Sequence, residues 1–171
     1  MIGSLRGHLI AKLAPQVVIE CGGVGYEVET PMSTFLDLPP LGSDLFVYTH
    51  LLVRQDAQIL YGFSSEDERL MFRALLKVNR VGAKLALGIL SAMTTNDFRR
   101  CVGLEDSTTL SKIPGVGKKT AERLIIEMRD RIDIAASGGG RVAPLTVEAN
   151  ARNEAVDALG SLGYKPKEVN N

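Results

Sequence analysis

Two cysteines, two histidines and no tryptophan stand in 171 residues. Cys21 and Cys101 lie 80 positions apart and suggest no disulfide framework, so a reduced, cytoplasmic protein is expected. Those cysteines and the scattered histidines show no metal-ligand spacing, and neither a metal nor another cofactor is expected. No apolar run approaches the ~18–20 residues of a membrane span. Arg6 is followed by Gly7 and His8, not by the apolar stretch of a secretion signal, so no membrane association is expected. Net charge is also missing: 20 basic residues face 20 acidic ones, which at first sight speaks against a polyanionic partner.

The distribution of charge reverses that impression. Residues 1–64 hold three basic side chains (Arg6, Lys12, Arg54) against six acidic, whereas residues 65–136 hold thirteen against ten. An acidic first third and a basic middle are compatible with a polyanion-binding segment.

Hydrophobic periodicity changes at the same boundary. In 1–63, Val24, Tyr26 and Val28 alternate with Gly25, Glu27 and Glu29. Leu45–Val53 is almost continuously apolar, and Ile59, Tyr61 and Phe63 share one parity. Gly22-Gly23 and Pro39-Pro40 mark turns. Short strands with turn signals predict a small closed barrel. Six of the nine aromatics fall here; they could serve as base-stacking platforms, but most occupy apolar strand parities, which favours core packing. From Ser65 the period becomes helical. Ser65 with Glu68 forms a capping-box pattern, followed by Met71, Ala74, Leu75 and Val78. Further helices are predicted over Leu85–Met93, Phe98–Val102 and Lys119–Ile132. The organisation expected is therefore a barrel over 1–63, a helical domain over 64–136, a flexible linker over 137–148 opening with Ser137-Gly138-Gly139-Gly140, and a helical segment over 149–171.

The strongest signal is an internal repeat at an offset of 35 residues. Leu75-Leu76-Lys77-Val78-Asn79-Arg80-Val81-Gly82-Ala83-Lys84-Leu85-Ala86 aligns with Leu110-Ser111-Lys112-Ile113-Pro114-Gly115-Val116-Gly117-Lys118-Lys119-Thr120-Ala121. Each copy reads as a short helix, a tight apolar-glycine turn and a second helix. Pro114 is expected to end the preceding helix, Gly115 and Gly117 to permit positive φ and close backbone approach, and Val116 to plug the turn. Such a bend leaves unpaired N–H groups at a helix N-terminus, where the helix dipole favours an anion. Lys118, Lys119 and Arg123 oppose that dipole unless an anion lies before them. A phosphate resolves the conflict. Two copies sharing Gly82/Lys84 and Gly117/Lys119 point to duplex-backbone binding that is sequence-independent and salt-sensitive.

Catalytic readings find little support. Gly115-Val116-Gly117-Lys118-Lys119-Thr120 lacks the four-residue gap of a nucleotide-binding loop. Glu66-Asp67-Glu68 could hold a metal, but the acidic preference of a helix N-terminus suffices. A glycosylase- or nuclease-like protein would need a catalytic Lys or Asp after a hairpin. A single-strand or RNA binder would need basic neighbours around exposed barrel aromatics, and the barrel segment is net acidic. No catalytic residue is expected.

Met1-Ile2-Gly3-Ser4-Leu5-Arg6-Gly7, Gly22-Gly23-Val24-Gly25-Tyr26-Glu27-Val28, Tyr61-Gly62-Phe63 and Pro114 through Leu124 closely resemble the RuvA family of Holliday junction-binding proteins. The resemblance runs from Met1 to about Ile132 and resumes weakly near Glu154–Lys167. It implies a multidomain α+β chain: an OB-type β-barrel, an all-α domain with two helix-hairpin-helix motifs, a linker and a C-terminal helical domain. It further implies a homotetramer, or an octamer on DNA, holding an open four-way junction for branch migration by a RuvB motor, with RuvC resolvase as another partner. Its two hairpins match the residues that the repeat already singled out for DNA binding, Gly82, Lys84, Gly115, Gly117, Lys118, Lys119 and Arg123; Val81, Val116, Arg54 and Arg80 complete the DNA-binding candidates, Arg80 as a guanidinium that could reach a phosphate.

The resemblance also implies an acidic pin between two barrel strands, which keeps crossover strands apart. The family usually carries two adjacent acids there; this chain has Gln55 and Asp56. Arg80 stands where the family has the first glycine of its hairpin, and Ala83 replaces a proline. Where the family's third domain has three helices, the sequence reaches Asn171 after a first helix and a Lys165-Pro166 turn, so weak or absent motor coupling is expected.

Overall fold

The computed structural model describes residues 1–138, with side chains described to Arg129; the remainder of the expected linker and the segment over 149–171 lie outside the described residues. Residues Met1–Ser137 form one compact unit. Five strands come first: β1 (Ser4–Leu13), β2 (Gln16–Cys21), β3 (Val24–Glu29), β4 (Asp44–Val53) and β5 (Gln58–Phe63). They close in the order β1-β2-β3-β5-β4, with β4 returning to β1. Every pairing is antiparallel except β3 with β5, which meet in parallel at Glu29 and Tyr61. This is the expected OB-type barrel. Its interior is filled by Leu5, Leu9, Val17, Ile19, Val28, Leu45, Val47 and Leu60, one face of each strand.

Two details depart from the sequence reading. The parity set Ile59, Tyr61 and Phe63 does not line the barrel. Tyr61 and Phe63 pack into the helical core, while Leu60 on the opposite face fills the barrel. β5 is thus apolar on both faces because it is covered on both. In β3, only Val28 of the alternating trio is fully buried, and Val24 is exposed.

The sequence reading also missed a six-residue helix, α1 (Met32–Asp37), between β3 and β4. Six residues carry too little periodicity to be seen. α1 fastens the barrel to the helices. Ser33 Oγ and Thr34 Oγ1 donate to the Glu68 carboxylate at 2.6 and 2.7 Å, and the Met32 N–H donates to Ser91 Oγ at 2.9 Å.

Six helices are described in all: α1, α2 (Glu66–Leu75), α3 (Ala83–Ala92), α4 (Thr95–Gly103), α5 (Ser107–Leu110) and α6 (Lys118–Gly138). α2 begins as expected, with Ser65 Oγ accepting from the Glu68 N–H at 3.2 Å. The reciprocal half of the capping box is absent. The Glu68 side chain turns to Ser33, Thr34 and Ser64 instead, because those hydroxyls offer it three donors. α6 runs to Gly138, two residues into the stretch read as linker.

The joint between barrel and helices is aromatic. Phe72 of α2 is fully buried, with ring centroids 4.9 Å from Tyr61, 5.0 Å from Phe63 and 5.6 Å from His50. Burial, then the charges of Arg73 and Arg69, lowers the His50 pKa and favours the neutral ring. Its Nδ1 accepts from Arg73 Nε at 3.3 Å.

Candidate nucleic-acid interface

The repeat read from the sequence is a repeat in space. α3 and α6 start 35 residues apart, and the turns before them share one hydrogen-bond pattern. Val78 N–H donates to Leu75 and Val81 N–H to Val78, at 3.0 and 3.1 Å. Ile113 N–H donates to Leu110 and Val116 N–H to Ile113, at 3.2 and 2.9 Å. The pegs are buried in both bends: Val78 and Val81 in the first, Ile113 and Val116 in the second. Val116 is the expected plug.

Apolar pegs, not proline, set the bend. α5 stops at Leu110, three residues before Ile113, so Pro114 does not end it. The first copy, with Asn79 at the matching place, bends the same way. Positive φ is also more restricted than expected. It occurs at Gly115 (φ +86°) and at its equivalent Arg80 (φ +65°), but not at Gly117. A left-handed backbone costs a non-glycine residue about 1–2 kcal/mol.

Gly82 and Gly117 hold a different position, immediately before α3 and α6. Gly82 has an extended backbone (φ −88°, ψ 170°), open to any residue. A Cβ built on either glycine would meet nothing within 4 Å. The fold therefore does not require glycine at these two places, and the space before them is open to a close approach from outside.

The helix starts complete the geometry. In α3 the first intrahelical bond is from the Ala86 N–H to Gly82, and in α6 Thr120 and Ala121 both donate to Gly117. The N–H groups immediately preceding have no intrahelical acceptor. Charge follows an unusual rule at these ends. α2 has Glu66, Asp67 and Glu68 in its first turn and α4 has Asp97, the ordinary complement to the dipole. The first turns of α3 and α6 contain no acid. Lys84, Lys118 and Lys119 are exposed there, with no ion-pair partner among the described residues.

The two bends touch reciprocally. Leu85 of α3 brings Cδ1 within 3.2 Å of where a Gly115 Cβ would stand. From α6, Arg123 Nη1 lies 3.5 Å from the Asn79 carbonyl, and Glu127 accepts the Asn79 N–H at 3.2 Å. Arg123 is accordingly half-buried and ties the bends together. Lys77 and Lys112, absent from the sequence candidates, are exposed at equivalent points of the two turns; the repeat alignment itself contains that signal.

Arg54, Gln55 and Asp56 are exposed in the loop between β4 and β5, closed by the Arg54 N–H donating to the Ala57 carbonyl at 2.8 Å. They belong to the barrel and not to the bends. The acids at the start of α2 are engaged by protein groups. Glu66 pairs with Arg69, Glu68 receives three hydroxyls, and Asp67 binds Arg99 and Thr95. Burial alone would raise the Asp67 pKa, but Arg99 and Thr95 outweigh it and hold the carboxyl below its usual value. Among the described residues no group of His, Cys, Asp and Glu could hold a metal ion, and no helix is long and apolar enough to cross a membrane.

Comparison with known proteins agrees with this architecture. Residues 1–62 match the model of the RuvA N-terminal domain, and residues 72–130 match that of the SAM-like helix-hairpin-helix tandem. A protein of Methylococcus capsulatus called Holliday junction branch migration complex subunit RuvA is 53% identical, over 99% of this chain and 87% of its own length. The chain belongs to the RuvA family. Relatives of the same name from Nitrosococcus oceani (54% identical) and Vibrio cholerae (51%) align over the same shares of both chains. RuvA-family membership accounts for both halves of the architecture, the barrel and the paired hairpins.

Proposed function

We propose that this chain binds four-way DNA junctions by their shape, without reading sequence, as the non-catalytic DNA-holding subunit of a cytoplasmic branch-migration complex. The observation that carries this reading is the pair of open glycines, Gly82 and Gly117. Each stands before a helix start whose first N–H groups have no intrahelical acceptor and whose lysines have no ion-pair partner among the described residues. A sugar-phosphate strand fits that combination: the N–H groups hold phosphate oxygens while Lys84, Lys118 and Lys119 neutralise charge. Nothing in this contact reads a base edge. Val81 and Val116 support the bends from within.

The test separates binding from folding. Replacing both Gly82 and Gly117 by Ala adds methyls that the fold accommodates. The expected result is an unchanged melting temperature with junction affinity reduced roughly tenfold, about 1.4 kcal/mol. Unchanged affinity for a four-way junction in a gel-shift titration would overturn the reading.

In a homotetramer on the junction, the β4–β5 loops would gather at the crossover as a pin. A RuvB-type motor and a RuvC-type resolvase would be the protein partners. With Gln55 beside Asp56, four loops carry about half the acidic charge of a two-acid pin, and about half the repulsion of a nearby phosphate. Gln55→Glu is therefore expected to hold crossover strands further apart, read as increased fluorescence of 2-aminopurine at the branch point. Equal signals from the two proteins would reject the weak-pin account.

A further inference from the structure

We infer that Arg80 is a side-chain contact to the DNA backbone, supplying to the first bend the cation that the second bend carries at Lys118. This rests on the junction-binding reading and assigns a role to a residue that departs from its repeat partner. The second bend places two lysines, Lys118 and Lys119, in the first turn of its helix. The first has only Lys84 at the matching pair of positions, because Ala83 replaces the first lysine and is buried in the helical core. A charge at position 83 would be shut away from solvent. Arg80 is exposed three residues earlier, on the same turn, and has no hydrogen-bond or ion-pair partner among the described residues.

Its backbone makes the assignment informative. Arg80 adopts φ +65°, the conformation that Gly115 adopts at φ +86° in the other copy. The turn calls for glycine and has arginine, so folding alone is better served by Gly at this position. With Arg80 counted, the two bends present equal numbers of exposed cations at their helix starts. A planar guanidinium can also bind a phosphate through two parallel N–H groups, where a backbone N–H gives one.

The experiment titrates a labelled four-way junction with the full chain at several salt concentrations and compares Arg80→Gly, Arg80→Lys and Lys119→Glu. Arg80→Gly is expected to melt about 2–4 °C higher yet bind roughly three- to tenfold more weakly. Its slope of log affinity against log salt should fall in magnitude by about 0.9 for each Arg80 in the bound assembly. Arg80→Lys should keep the slope. Lys119→Glu should weaken binding more than either change at position 80. Unchanged affinity and slope in Arg80→Gly, with binding still lost in Lys119→Glu, would overturn the role of Arg80 and leave the junction reading standing. Unchanged binding in Lys119→Glu as well would overturn both.

Discussion

Reversing Lys84 and Lys119 together to Glu is expected to lower affinity for a four-way junction by a factor on the order of 10²–10⁴ at low salt, while leaving the protein folded. On the proposed reading, each lysine lost removes a charge-assisted contact of about 1.5–3 kcal/mol, and each glutamate gained repels the phosphate proposed to lie against the bend. Stability should move the other way. Both side chains are exposed and unpaired among the described residues. A carboxylate in a helix's first turn complements the dipole by about 0.3–1 kcal/mol, as Glu66–Glu68 and Asp97 do in α2 and α4. A melting curve and a gel-shift titration on one preparation check both directions. Higher stability with lost binding identifies lysines placed there for a ligand. Binding unaffected by the double reversal would remove the basis for a phosphate cup at either bend.

Phe72→Ala is expected to have the largest effect on stability, a loss of about 3–5 kcal/mol, as for other large aromatics emptied from a core. Phe72 has no exposed surface and stands among Tyr61, Phe63 and His50, which come from two barrel strands. Its removal leaves a void where the two halves of the molecule meet, and a barrel strand on one side and a helix on the other cannot both collapse into it. The melting temperature should fall by roughly 10 °C or more. Ile126→Ala, on the exposed face of α6, should change stability by less than about 0.5 kcal/mol. Calorimetry of the two variants checks the contrast; similar melting temperatures for both would mean that Phe72 does not join the halves.

The two bends were legible because they are local and duplicated. A spacing of 35 residues, two glycine-valine patterns and matched lysines survive in the sequence whatever surrounds them, and the structure returns the same hydrogen bonds in each copy. Less legible was which glycine serves which purpose. Gly115 answers a left-handed backbone, whereas Gly117 answers none, and a one-letter code does not distinguish a glycine required by φ from one leaving room for a visitor. The capping box at Ser65 and Glu68 was half right for a related reason. Ser65 acts within four residues of itself, but the partners of the Glu68 side chain include hydroxyls more than thirty positions away.

By itself, the sequence determined the strand-rich first third, the helical middle, the repeated bends and the excess of positive charge around them. All of these follow from periods and neighbours a few residues apart. Tertiary structure alone decided that Tyr61 and Phe63 face the helices, that α1 clasps α2 and α3, that Arg123 reaches across to the first bend, and that Arg80 occupies a glycine's conformation. The physical reason is that burial and backbone strain are properties of a meeting between distant segments. A strand covered on both faces has no alternation to read, and the position of a helix against a barrel is set by which surfaces remain uncovered once each has formed.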